Sequence, residues 1–330
     1  MLTPKQNALA IMNGTQPDRY EDLTMAMGIV RVDYSYKKDI VIPDGKIHQD
    51  SWGVSFQTVP GSPGQHPIAT PELLAIKDIE NWENEVVVPD VEDFDWSESK
   101  AVADEIDRDQ FFVTSFMPGG LFERSHHLMG FENALINYLT YEEEMAALLR
   151  VIADQRIAHI NKVAEVYQPE MVFYQDDWGS KLNVLLPPDL WRRLIKPLHT
   201  EIVAAAHEHN MIFVHHADCF IEPLIPDCLE MGIDIWQGAI PQNNIVEIQR
   251  IVDGKMAIQG GIDGPIIDQD GVDEEVIRAE VRRAIDTYCP ARYFFPGLPN
   301  VRCNFPRCQD IMRDEIVTYG DKWAQEHPIS

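Results

Sequence analysis

The sequence predicts an α/β protein of the (β/α)8 barrel type, on three observations. Short apolar runs alternate with longer stretches whose apolar residues recur every three or four positions, and that alternation means parallel strands joined by crossover helices. No Gly-x-Gly-x-x-Gly stretch opens any of the helices, so a dinucleotide-binding sheet has no support. The chemically active residues stand just after the apolar runs, where barrels place their ligands, at the carboxyl ends of the strands.

Taken in order, Thr3-Pro4-Lys5-Gln6 ahead of Ala8-Leu9-Ala10-Ile11-Met12 predicts an N-capped helix with proline at its first position, stopped by Asn13-Gly14. Residues 28–100 are rich in Pro, Gly and Asp, with only short strand-like pieces such as Trp52-Gly53-Val54-Ser55-Phe56. They are expected to form an irregular, partly β elaboration over one mouth of the fold. Regularity begins at residue 101. Strands are predicted at 111–115, 171–175, 211–215, 233–236, 256–259 and 293–296, with one or two more among residues 20–60. Helices are predicted around 131–138, 141–167, 188–209, 221–231, 244–252, 273–288 and 306–326. The second of these carries Met145, Leu148, Leu149, Ile152, Ile157, Ile160 and Val163 at helical spacing. With neither an internal repeat nor a low-complexity linker, residues 1–330 read as a single domain.

Hydrophobic residues make up 45% of the 330, enough for a sizeable core. The formal net charge of −27 repels phosphates, which argues against nucleic acid and against an anionic membrane surface. The five cysteines, Cys219, Cys228, Cys289, Cys303 and Cys308, are odd in number and confined to the last third. They form no disulfide framework, so a reduced, cytoplasmic compartment is expected. The opening residues show no apolar core followed by a cleavage site, so a signal peptide is not expected. No run approaches the roughly 18–20 apolar residues of a membrane helix.

The densest chemistry lies in Val214-His215-His216-Ala217-Asp218-Cys219-Phe220-Ile221-Glu222-Pro223, at the end of a predicted strand. Histidine, aspartate and cysteine together are metal-binding types; singly, His215 reads equally as a core histidine and Cys219 as a small buried hydrophobe. Gln175-Asp176-Asp177-Trp178-Gly179-Ser180 ends another strand. Its adjacent carboxylates either work as an acid–base pair with separated pKa values or hold a ligand, or Asp177 caps a turn that Gly179 completes. Gln259-Gly260-Gly261-Ile262-Asp263 is a third exit, where paired glycines allow backbone to approach a ligand or simply make a turn. Phe116, Phe122, Tyr174, Trp178, Trp236 and Phe295 lie near strand exits, either as core or as the wall of an apolar pocket.

Further stretches set these residues in a longer pattern: Asn13-Gly14 through Pro17-Asp18-Arg19, Asp50-Ser51-Trp52-Gly53-Val54, His66-Pro67, Phe122-Glu123 with Met129-Gly130, Pro188-Asp189-Leu190-Trp191 leading to Lys196-Pro197, and Pro296-Gly297. In their order and spacing, over nearly the whole chain, they resemble the uroporphyrinogen decarboxylase-like superfamily. The closer likeness is to its corrinoid-dependent, methylcobamide methyltransferase-like branch. The resemblance implies a TIM barrel with its active site at the carboxyl mouth. The true decarboxylases hold a tetrapyrrole's carboxylates with arginines of an Arg-Gln-Ala-Gly-Arg stretch; here the region reads Ala26-Met27-Gly28-Ile29-Val30-Arg31, so porphyrinogen decarboxylation is not expected.

In the methyltransferase branch a zinc sits on His-x-Cys after one strand and on a second Cys after a later one. His216 matches the histidine, Asp218 stands at the first cysteine's place and Leu298 at the second's. Cys219 and Cys303 are nearby candidate substitutes. An aspartate ligand suits oxygen donors better than thiolates, hence an oxygen-containing substrate such as a methyl ether.

The leading expectation is therefore a metal-assisted methyltransferase moving a methyl group between a small, methoxylated aromatic compound and the cobalamin cobalt of a partner corrinoid protein. His216, Asp218, Cys219 and Cys303 are the candidate zinc ligands. Asp177, Glu123 and Asp176 are the candidate catalytic carboxylates, and Trp178, Phe116, Tyr174, Trp236 and Asp263 the candidate substrate contacts. A homodimer is expected from fold analogy. The rivals are a decarboxylase or lyase of a small acid, which calls for a cationic pocket that the sequence does not reveal, and a non-catalytic binding protein on a decayed barrel.

Overall fold

The computed structural model describes residues 1–31, 45–58, 65–300 and 302–329. Seven parallel strands form its main sheet: β1 (Met27–Val30), β5 (Phe112–Met117), β6 (Met171–Gln175), β7 (Ile212–His216), β8 (Ile235–Ala239), β9 (Ala257–Gly261) and β10 (Phe294–Gly297). They are hydrogen-bonded in the order β1-β5-β6-β7-β8-β9-β10, so each strand beyond β1 pairs with the next along the chain and helices make the crossovers. A second, antiparallel sheet of β2 (Ile47–Gln49), β3 (Ser55–Thr58) and β4 (Gln65–Pro67) lies within the elaboration expected over 28–100.

All six predicted strands are present, shifted by two residues or fewer at their starts, and β1 lies among residues 20–60, where one or two more were expected. Seven parallel strands are thus described. The sheet is curled: Ile29 and Arg31 at the end of β1 line the same cavity as Asn300 and Arg302 beyond β10, at the opposite sheet edge. Among the described residues no helix is long and apolar enough to cross a membrane.

Local chemistry explains the helix limits. Thr3 accepts from Gln6 N while the Gln6 side chain reaches back to the Thr3 N–H, closing a capping box ahead of the helix Pro4–Met12. The helix predicted over 188–209 is two helices, Pro188–Leu194 and Lys196–Glu208. Pro197 is the reason: it lacks an N–H and its ring crowds the preceding turn, so one continuous helix cannot run through it. The helix Leu121–Met129 follows β5 and was not predicted, because Pro118-Gly119-Gly120 reads as a breaker while Gly120 in fact forms the helix N-terminus.

Side-chain alternation then assigns the faces. In β6, Phe173 and Gln175 line the cavity inside the curl. Tyr174 between them points outward, its ring 5.2 Å from that of His199 on the helix Lys196–Glu208. The same alternation sends His216 inward and His215 outward, where His215 stacks on Trp178 at 4.0 Å.

Candidate active site at the carboxyl ends of the strands

A cavity of about 360 Å³ opens at the carboxyl ends of the parallel strands. It is lined by Thr24, Ile29, Arg31, Phe116, Phe173, Gln175, Asp177, His216, Asp218, Asn300 and Arg302. Phe116 and Phe173 form an aromatic wall, their rings 5.6 Å apart, and Phe173 in turn stacks on His216 at 5.5 Å.

The tautomer of His216 follows from its neighbour. Gln237 gives its amide N–H to the Pro299 carbonyl at 2.9 Å, so its oxygen faces His216 Nδ1. An amide oxygen only accepts, so Nδ1 carries a proton; in the neutral form of the ring, which lines the cavity, Nε2 then holds the lone pair. Gln237 owes its aim to an irregularity in the β8–β9 ladder at Gln237/Ala239. There Gly238 adopts φ +112°, and a Cβ would lie 2.5 Å from the Ala217 carbonyl oxygen, so only glycine fits.

Asp177 is half-buried and accepts from the Asp218 backbone N–H at 2.8 Å. Burial raises its pKa, and the neighbouring His216 pulls it back down. Glu123 is buried directly behind it, 3.5 Å from the Gln175 amide. Burial and the charges of Asp177 and Asp176 push the Glu123 pKa well above the usual carboxylate range. The Asp177 and Asp176 charges disfavour ionisation of Glu123, which therefore gives up its proton less readily than a free carboxylate does.

Asp176 has a different place. Fully buried, it accepts from the backbone N–H groups of Phe122 (3.3 Å) and Glu123 (2.9 Å) and from Trp178 Nε1 (2.9 Å). It thus caps the helix Leu121–Met129 from across the fold. Burial raises its pKa to about 6 in spite of these donors. Asp176 positions Glu123 and does not line the cavity.

The remaining candidates divide by strand face. Phe116 lines the cavity; Tyr174, Trp178 and Trp236 are buried outside the curl, and Trp236 Nε1 donates to the Ala217 carbonyl at 3.1 Å. Asp263 stands with Glu280 and Arg283 of the helix Glu274–Tyr288, away from the cavity lining. Gln175, Gln237, Phe173, Arg31 and Arg302 are functional candidates that the sequence reading did not single out. Strict alternation along β6 and β8 would have pointed to the first three.

The arrangement does not fit the expected zinc centre. Among the described residues no three His, Cys, Asp or Glu side chains stand together in a way that would hold a metal ion. The Asp218 carboxylate is met at 3.0 Å by the Lys181 ammonium. Cys219 is buried away from the cavity lining, with burial and Asp177 pushing its thiol pKa well up, and Leu298 is buried and apolar. Cys303 lies near Gln309, Asp268 and Cys308, its thiol pushed up to about 12 by burial.

Behind the site, His199 and His215 are fully buried with ring centroids 5.0 Å apart and no protein hydrogen-bond partner at any ring nitrogen. Burial lowers the His199 pKa from 6.5 to about 3. In the window between those values the unfolded chain takes up a proton there and the folded chain does not, so His199 makes folding weaken as pH falls from 6.5 toward 3. Urea unfolding of the wild type and His199→Leu at several pH values isolates this contribution. The stability of the wild type relative to the variant should fall by roughly 1.4 kcal/mol per pH unit below about pH 6. A pH-independent difference would contradict the assignment.

A curled sheet of parallel strands, with an acid–histidine pair and an aromatic wall at its carboxyl mouth, defines an α/β protein of the barrel-enzyme type. The chain belongs to the uroporphyrinogen decarboxylase (URO-D) family, whose model matches residues 51–296. Among solved structures it is similar to a methyltransferase from Methanosarcina mazei. The TM-score is 0.67 and the identity 14%, with 96% of this chain and 99% of that one covered. No curated protein matches the chain in sequence.

Proposed function

We propose that this protein is a methyltransferase that takes a methyl group from a small methoxylated compound bound in the mouth cavity and passes it to the cobalt of a partner corrinoid protein. The observation that carries the reading is that Asp177 and His216 line one cavity with Phe116 and Phe173, with the buried carboxyl of Glu123 behind Asp177, its pKa raised by burial and by the charges of Asp177 and Asp176. The likeness in fold to a methyltransferase supports it. The cavity rim, Arg31, Asn300 and Arg302, is exposed, so a cofactor carried by another protein has access. When bound, the corrinoid supplies a strongly nucleophilic metal centre.

The chain's own residues then have three tasks. Phe116 and Phe173 hold the apolar body of the donor and exclude water. As the methyl leaves, the electron pair of the broken C–O bond stays on the donor oxygen, which needs a proton. The Asp177–Glu123 pair holds that proton and releases it to the oxygen. His216, with Nε2 free of a proton, orients the donor or accepts from it.

The test is the anaerobic loss of the cob(I)alamin spectrum in the presence of methoxylated aromatics, methylamines or methyl thioethers, with His216→Ala alongside. We expect loss with a methoxylated donor, release of the demethylated product, and a rate lower by about 10² or more in the variant. No loss with any donor would overturn the reading.

Arg31 and Arg302 favour a second reading, a decarboxylase of a small acid, because they supply the cationic groups that such a reaction calls for. It predicts carbon dioxide release with no corrinoid present.

A further inference from the structure

The two arginines in the cavity differ from many others of this acidic chain, which pair with carboxylates. Arg124 pairs with Asp50, Arg278 with Asp314 and Glu315, and Arg283 with Glu280. Among the described residues neither Arg31 nor Arg302 meets a carboxylate, although both line a cavity in a protein of net charge −27. They are close enough that the charge of Arg302 lowers the pKa of Arg31, adding to the effect of burial. Arg31 is braced: its guanidinium lies over the Phe116 ring, 5.2 Å from the centroid. Like charges held together without a counter-ion are unfavourable until an anion joins them.

Their position follows from topology. Arg31 directly follows β1 and Arg302 comes after β10, the two edge strands of the sheet, so both stand at the seam of the curl. Asp177 follows β6 and His216 ends β7, in the middle of the sheet, and both line the same cavity. A ligand bridging the mouth would meet cations at one end, the Phe116–Phe173 wall along its body, and Asp177 and His216 at the other.

We infer that the donor is an acid: a small aromatic carboxylate whose anionic group is held by Arg31 and Arg302 at the seam, with its ether oxygen directed to Asp177 and His216. The inference rests on the reading of this cavity as the substrate site. Neither arginine belongs to an Arg-Gln-Ala-Gly-Arg stretch. A volume of about 360 Å³ is at the low end for small-molecule sites and suits a single substituted ring. Guanidinium is the side chain best matched to a carboxylate, through two parallel N–H···O bonds.

Calorimetric titration of the full-length protein with 4-methoxybenzoate and with methoxybenzene, its neutral counterpart, tests this without requiring turnover. We expect the acid to bind at least tenfold more tightly. The R31Q/R302Q double variant should lose at least tenfold in affinity for the acid while its affinity for methoxybenzene and its thermal midpoint stay as in the wild type. Equal binding of acid and neutral ether, or an acid affinity untouched by R31Q/R302Q, would overturn the inference. The two claims fail separately: arginine-dependent binding of the acid without cob(I)alamin consumption counts against methyl transfer alone, and consumption with neutral donors alone counts against the acid.

Discussion

Asp177→Asn is expected to slow methyl transfer by about 10²–10⁴-fold while leaving donor affinity nearly unchanged. The amide keeps the size of the carboxyl and its contact with the Asp218 N–H, so the cavity stays intact. It removes the titrating partner of Glu123, and with it the route by which a shared proton reaches the donor oxygen. A step that needs a proton from a group with a raised pKa also slows as pH rises through that pKa. The wild type should therefore lose rate toward alkaline pH, and the variant's profile should be flatter. Cob(I)alamin loss followed across pH, with saturation by the donor, separates the two effects. A variant that changes KM alone would assign Asp177 to binding and not to proton transfer.

Asp50→Ala is expected to destabilise the fold by about 3–5 kcal/mol, the range for removing one partner of a buried ion pair. Asp50 and Arg124 are paired with side chains fully out of solvent. Asp50 also accepts from the Trp52 and Val54 N–H groups at 3.0 and 2.9 Å, and the Arg124 guanidinium lies over the Trp52 ring at 5.3 Å. The alanine removes the Asp50 carboxylate from beside a buried guanidinium, and loosens the turn that anchors the antiparallel sheet to the helix Leu121–Met129. That helix carries Glu123, so activity should fall with stability. Urea unfolding monitored by tryptophan fluorescence measures the loss; a change below about 1 kcal/mol would show that the pair is not buried as described.

The parallel core was legible in the sequence because its signals are local. A run such as Met171-Val172-Phe173-Tyr174-Gln175 states its own conformation, and the spacing of Met145, Leu148, Leu149 and Ile152 states a helix without reference to any other element. The exits after β6 and β7 were legible for the same reason: a polar cluster directly follows an apolar run. That is how Asp177, His216 and Asp218 were found, and all three line the cavity.

Which residues of those clusters face the reaction does not follow from nearness to a strand end. Trp178 and Tyr174 read as pocket aromatics by their nearness to a strand end, yet the strand's alternation and its packing on the helix Lys196–Glu208 turn both outward. Likewise Cys219 sits next to Asp218 in sequence, but the turn after β7 buries its thiol away from the cavity. Adjacency in the chain does not imply a shared face.

The sequence by itself therefore determined the class of fold, the order of its elements and the middle of the site, where neighbouring strands β6 and β7 bring Asp177 and His216 together. The cationic side of the site was decided only in three dimensions. Arg31 and Arg302 lie at opposite ends of the chain, beyond two strands that share no ladder. No spacing or periodicity links them; the twist and curl of the parallel sheet carries its two edges round to one seam, and sets two unpaired charges opposite the acid–histidine pair.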